Sequence, residues 1–304
     1  MLSLITHQDC LAHDPGGIHP DSPRRLEAIQ DEILSSGLDG LISYHDAPLA
    51  SRELLCLAHD QAYVDHVFAV APNTGNVHLD GDTEMTPATL PAALRAAGAG
   101  ALAVDLVMAG NTDVAFCMVR PPGHHAGRAN AMGFCVFNNA AIAALHALHN
   151  HGLERVAILD FDVHHGNGTE EIVRGDSRVL FCSAFQHPFY PHTGHPSATP
   201  NLVDAPLEAG ATGKEFRAVI EQKWLPAVTR FQPQLIVLSA GFDGHVLDDM
   251  SGIRLLEDDY AWLTRAVKGL AGQFADGRIV SVLEGGYEPG ALARSVVAHL
   301  KALL

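Results

Sequence analysis

The stretch VAILDFDVHHGNG, residues 156–168, begins as a strand and ends as chemistry. VAILDF is a short run of apolar and β-branched residues, the composition of a strand buried on both faces. Its carboxyl end then places Asp160, Asp162, His164 and His165 ahead of a Gly-Asn-Gly turn. The same build recurs on either side. VAFCMV (114–119) runs into RPPGHHAGRANAMGF, LIVLSA (235–240) into GFDGH and IVSVL (279–283) into EGGYEPG, with VLFCS (179–183) as a further run. Helix-like segments at 87–110, 138–152, 213–231 and 257–275 separate them. This alternation predicts an α/β fold with a single parallel β-sheet flanked by helices on both faces. Ligands of open parallel sheets bind beyond the carboxyl ends of the strands, so four polar motifs are expected on one rim.

The chain has 304 residues, of which 47 % are hydrophobic. That is enough core for one large α/β domain or two smaller ones, and without an internal repeat or low-complexity linker a single domain over 1–304 is expected. The Pro/Gly-rich pieces at 13–23, 121–133 and 187–213 read as long functional loops. No window of about 18 uninterrupted apolar residues marks a membrane span. The start, MLSLITHQD, has no basic region or long apolar segment and reads as a first strand, not a secretory signal. A net charge of −16 repels phosphate backbones, so nucleic acid is a poor partner, and it would attract cations. Most residues of the acidic groups Asp80/Asp82/Glu84, Asp248/Asp249 and Glu257/Asp258/Asp259 read as solvated surface and helix N-termini. Five cysteines without a CxxC pair fit buried free thiols in a reducing cytoplasm. With 19 histidines in the chain, only clustered ones merit a functional reading.

Asp160, Asp162 and His164 have period-two spacing and would point the same way along an extended chain. Carboxylates buried together need a compensating charge. A divalent ion such as zinc supplies it, and Asp243, at the tip of another strand, is the natural third ligand, leaving a position for water. The competing reading is an Asp/His hydrogen-bonded cluster that caps a helix starting near Gly166. His124 and His125 stand on a glycine-flanked loop, where one could take a proton from water and pass it to a leaving group. Asp160 is available to orient His124, and Asn167 to orient His125. A carboxylate raises an imidazole pKa more than an amide does, so the two rings should differ in protonation. Tyr287, after two glycines, could donate to a developing oxyanion.

RPPGHHA, GFCVFNNAAIA, LDFDVHHGNGT, SAGFDGH and LEGGY, in this order, resemble the zinc-dependent histone deacetylase superfamily. That superfamily includes bacterial acetylpolyamine amidohydrolases and shares its three-layer fold with arginase. The match runs from HPDSPRR (19–25) to Tyr287, and Asn167 marks a class II-like branch. The resemblance implies zinc on Asp162, His164 and Asp243, with His125 as general base and then acid, His124 as electrostatic support and Tyr287 as oxyanion donor. It implies Phe134 and Tyr190 as aromatic walls of an acyl-lysine channel, Gly133 as carbonyl acceptor for the substrate amide, and Arg25 (or Arg24) near the channel floor. It also implies a potassium ion near Asp160, Asp162, His164 and Ser183. One departure stands in FYPHTGHPSATP (189–200), where His192 replaces the family's usual glycine. The length is near that of a minimal catalytic domain.

The same resemblance places Met250, seven residues after Asp243, at the channel mouth. A eukaryotic polyamine-preferring relative carries glutamate there, so Met250 favours acylated lysine in peptides or proteins, against which Asp248 and Asp249 weigh. The alternatives are the same chemistry on acetylpolyamines or other small amides, and a catalytically silent acyl-lysine binder. A two-manganese ureohydrolase ranks lower, because no DAHxD cluster is present to hold a second divalent ion.

Overall fold

The structure is a computed structural model that describes residues 2–17, 19–194 and 198–304. Ile18 in the 13–23 loop, and positions 195–197 in the 187–213 loop and in FYPHTGHPSATP, lie outside the described residues. In chain order the strands are β1 (Leu2–Thr6), β2 (Ile42–Asp46), β3 (Val77–His78), β4 (Glu84–Met85) and β5 (Val114–Cys117). They continue with β6 (Val156–Asp160), β7 (Val179–Gln186), β8 (Leu202–Leu207), β9 (Leu235–Ala240) and β10 (Ile279–Leu283). Eight form one sheet in the order β2-β1-β5-β10-β9-β6-β7-β8, with every pairing parallel. β3 and β4 make a separate antiparallel pair.

The five apolar runs became β5, β6, β7, β9 and β10, all buried along their whole length. This is what a sheet covered on both faces requires. Helices Arg24–Ser35, Glu257–Phe274 and Pro289–Leu303 pack together in one layer, and Gln8–Ala12, Thr89–Met108 and Asn139–Asn150 in another. Local chemistry fixes several starts. Asn138 accepts from the Ala141 amide, Glu288 accepts from the Ala291 amide ahead of Pro289, and Thr212 with Glu215 forms a reciprocal capping box. The expected helix at 213–231 is interrupted by a π turn at Ile220–Trp224. Thr89–Met108 is long and apolar enough to cross a membrane by length and composition, but it is 61 % buried and packs on β1, β5 and β10.

Because the strands are parallel, their carboxyl ends share one edge. Behind that edge lies an ion cluster that joins three distant segments. Asp21 Oδ1 accepts from Arg25 Nη1 at 2.7 Å and from Arg120 Nε at 2.6 Å, all three side chains being fully buried. Arg25 also donates to the carbonyls of Gly286 and Glu284, and Arg120 to those of Cys10, His13 and Asp21. Burial alone would raise the Asp21 pKa, but the two guanidinium groups and His13 hold it well below the usual range. Removing this carboxylate strands two buried cations. Asp21→Ala is therefore expected to destabilise the fold by about 3–5 kcal/mol, read as a lower urea midpoint.

Candidate active site

Asp160 ends β6, in register with Ser183 on β7 and Ser239 on β9. Beyond it the chain bends instead of continuing as a strand. The period-two argument grouped Asp160, Asp162 and His164 on one face of an extended chain, and the backbone is not extended there. Asp162 and His164 meet because the His164 amide donates to Asp162 Oδ1 at 2.9 Å, closing a local turn. Asp243 follows β9 and reaches across, its Oδ1 accepting from the Val163 amide at 2.9 Å. His164 Nδ1 lies 3.1 Å from both Asp162 Oδ1 and Asp243 Oδ2. One ligand atom from each of Asp162, His164 and Asp243 falls within 4.8 Å of the others, and all three side chains are buried. Asp160 stands outside this trio and faces His124.

The cluster caps no helix. Helix Asn167–Val173 has Gly166 at its N-cap, and the amides of Gly168 and Thr169 are both taken by the His124 carbonyl at 3.1 Å. The trio is instead short of positive charge. Burial raises the Asp243 pKa and neighbouring Asp162 raises it further, to about 6. Burial opposes a charge on His164, yet hydrogen bonds to Asp162 and Asp243 outweigh it and push the ring up to about 10. His164 Nδ1 and the two carboxylate oxygens converge where a divalent ion would satisfy both carboxylates, so the donor set fits a metal. Gly285 packs against the trio, donating its amide to Asp162 Oδ2 at 2.8 Å. A Cβ there would come within 2.2 Å of Asp243 Oδ2, so only glycine fits.

The paired histidines follow β5 on a loop clamped from below by Glu284, which follows β10. Glu284 Oε2 accepts from the amides of Gly123 at 2.6 Å and His124 at 3.1 Å, and Oε1 accepts from Ser239. His124 Nδ1 lies 3.0 Å from Asp160 Oδ2, and His125 Nδ1 lies 2.7 Å from Asn167 Oδ1. Both rings are buried, which disfavours their charge. For His124 the carboxylates of Asp162 and Asp160 reverse this and raise its pKa well above the usual value. For His125 the neighbouring His124 and His164 add to the effect and hold it well below. The amide of Asn167 accepts, so His125 Nδ1 carries the hydrogen and Nε2 keeps a lone pair.

A cavity of about 250 Å³ opens over this floor, lined by His125, His164 and Tyr287 together with Gly133, Phe134, Phe189, Tyr190, Met250 and Asp82. Phe134 and Tyr287 meet edge-on at 5.9 Å, Tyr190 meets His125 edge-on at 5.3 Å, and Phe189 stacks on His164 at 5.6 Å. Gly133, at φ 57, is the turn that presents Phe134, and a Cβ on it would strike the His125 ring at 2.3 Å. Asp82, from the acidic group at 80–84, is half-buried at the mouth and is not solvated surface. It accepts from the Gly133 amide at 2.8 Å and the Tyr190 hydroxyl at 3.0 Å, bracing two walls of the cavity. Asp248 likewise is not a surface acid. It is buried and accepts from the amides of Tyr287, Glu288 and Met250, which leaves Asp249 as the exposed acid of that pair.

Arg25 was expected near the channel floor among the substrate contacts; it does not line the cavity. It is fully buried, lies 4.9 Å from the Tyr287 ring centre and holds the Gly286 carbonyl, so it positions the tyrosine from behind, while Arg24 is exposed. Ser183 Oγ is buried beside Asp160 without a hydrogen-bond partner, an orphaned oxygen that suits a monovalent cation. His192 has φ 65 and is exposed, outside the cavity lining. A neighbouring buried group, His165, Glu170 and Asp204, is tied up internally: His165 bridges Thr193 and Glu170, and Arg174 pairs with Glu170. Phe189, Asp82 and Glu284 are the site residues that sequence reasoning missed. Phe189 and Glu284 stood inside motifs that feed the rim, whereas Asp82 comes from the β3–β4 hairpin, where the sequence offered only an acidic group.

A histone deacetylase domain profile matches residues 19–303. The chain is 37 % identical over 275 residues to the histone deacetylase-like amidohydrolase of Pseudomonas aeruginosa, spanning 88 % of this chain and 71 % of that protein. It is 35 % identical over 323 residues to the human polyamine deacetylase HDAC10, spanning 99 % of this chain and 48 % of that longer protein. The crystal structure of the HDA15 HD domain matches with a TM-score of 0.93 at 31 % identity, covering 99 % of this chain and 87 % of that one.

Proposed function

The chain belongs to the histone deacetylase family, whose members include amidohydrolases, and from that premise we propose that it removes acetyl or other acyl groups from the ε-amine of lysine in peptides or proteins. The observation that carries the proposal is the narrow aromatic cavity whose floor is formed by His125, His164 and Tyr287. An acylated lysine stem is uncharged and passes apolar walls with less desolvation cost than free lysine.

Asp162, His164 and Asp243 would hold zinc, which when bound supplies a Lewis acid for the amide carbonyl and makes water more acidic. His125, kept neutral and with its free lone pair on Nε2, takes the proton of the attacking water and returns it to the leaving amine. Asn167 fixes its orientation. His124, whose pKa is raised by Asp162 and Asp160, supports the negative charge that develops nearby. Tyr287 donates its phenol hydrogen to the developing oxyanion; burial and the carboxylates of Asp243 and Asp162 keep that phenol protonated. Gly133 would offer its carbonyl to the substrate amide. Asp160, Ser183 and the backbone around Asp162 and His164 would cradle potassium, which fits the orphaned Ser183 hydroxyl. A cytoplasmic location, where the five thiols stay reduced, accords with this chemistry.

Tyr287→Phe tests the catalytic reading against a silent acyl-lysine binder. Loss of one oxyanion donor should lower kcat by about 10²–10³, or roughly 2.7–4 kcal/mol, with bound metal unchanged. An unchanged rate would reject the role of Tyr287.

The second reading, an acetylpolyamine substrate, is favoured by the charge of −16 and by Asp82 and Asp249 near the mouth. Against it, Asp82 is engaged by Tyr190 and Gly133, and the side chain at 250 is an uncharged methionine lining the cavity. Acetyl-lysine peptides are expected to show higher kcat/KM than N-acetylputrescine or N-acetylspermidine. Markedly higher values for the small amides would reverse the assignment.

A further inference from the structure

Away from the rim, helices Thr89–Met108 and Asn139–Asn150 pack together and bring their carboxyl-terminal regions side by side. There Asp105 of the first helix meets His146 of the second and His151, which caps it. His146 Nε2 lies 2.8 Å and His151 Nε2 2.7 Å from the same oxygen, Asp105 Oδ1, with the two rings 5.6 Å apart. We propose that Asp105, His146 and His151 form a second divalent-metal site, independent of the rim and selective for a borderline ion such as zinc, cobalt or nickel.

Two imidazoles and one carboxylate suit such ions, whereas magnesium and calcium favour all-oxygen sites. The ligand atoms already lie within 4.8 Å of one another. Tetrahedral bonds of about 2.0–2.1 Å separate donor atoms by roughly 3.4 Å. Opening the present contacts to that spacing takes a shift of about half an ångström. Asp105 can make it, because its side chain is 50 % exposed, while His146 is held at 11 % exposure and is oriented in advance. Three sources of negative potential meet here: the Asp105 charge, the carbonyl ends of two helices, and the chain's net charge of −16. The site also opens on a cavity of about 440 Å³, lined by Asp105, His146, His149 and Glu53, that leaves room for solvent ligands on the ion. An ion held by both helices would pin their ends together and stabilise the folded state by mass action.

The test uses the full chain with its catalytic site already filled with zinc, and cobalt as the probe. In wild type, cobalt should bind as an additional equivalent, giving visible d–d bands and a higher Tm. Asp105→Asn and His151→Ala should each weaken that binding by at least about tenfold and remove the bands, leaving hydrolysis unchanged. These side chains lie at the surface, and the unchanged hydrolysis rate itself reports an intact fold. No additional cobalt in wild type, or binding that survives both substitutions, overturns the site. Neither outcome bears on the catalytic reading, because cobalt binding is read from the bands and the Tm, and hydrolysis serves only as the check on folding.

Discussion

His125→Ala is expected to lower kcat by about 10²–10⁴ while the protein keeps its catalytic metal. The size follows from the role: the ring takes and returns a proton, and among the described residues no other imidazole that lines the cavity is held by an amide partner. The retention of metal follows from geometry, since the ligand trio comprises Asp162, His164 and Asp243 and not His125. His124→Ala makes a useful contrast. That ring is tied to Asp160, and the carboxylates of Asp162 and Asp160 raise its pKa, so it acts on the field of the site, and its loss should also unsettle Asp160 and Asp162. Equal rates for wild type and His125→Ala, measured on one acetyl-lysine peptide, would remove the histidine from the mechanism.

Asp243→Ala should abolish both tightly held metal and hydrolysis. It removes one of three protein ligands and also the acceptor for the Val163 amide, which braces the loop that carries His164. His164→Ala should do the same. Metal content and activity are expected to fall in parallel across these two variants, in contrast to Tyr287→Phe and His125→Ala, in which activity falls alone. A variant that lost metal but kept hydrolysing would separate the ligand trio from the chemistry.

Much of this site was legible in the sequence because its parts end strands. β5, β6, β9 and β10 are buried on both faces, so their composition announces them, and a parallel sheet then delivers their polar tails to one edge. The partners of the two histidines could be named because a buried imidazole needs something on its far nitrogen. What stayed hidden depends on pairings that local sequence does not encode. β2 and β8 lie at the sheet edges with mixed burial, so they lack an apolar run, and β8 even carries Pro206. Asp82 looks like any loop acid until the fold brings it to Tyr190, a residue 108 positions away. Arg25 matched a family position, yet its work is to hold Gly286 and face the back of Tyr287, which only the packed structure reveals. The bend after Asp160 was likewise invisible, because Asp162 and His164 converge through a turn that the strand period does not describe.

The most direct test is to strip wild-type protein with a chelator, assay it on an acetyl-lysine peptide, and assay it again after zinc is restored. Hydrolysis should vanish with the metal and return with it, and Asp243→Ala treated in the same way should stay inactive throughout. Full activity in the stripped wild type would contradict the assignment of Asp162, His164 and Asp243 as the metal cage on which the chemistry depends.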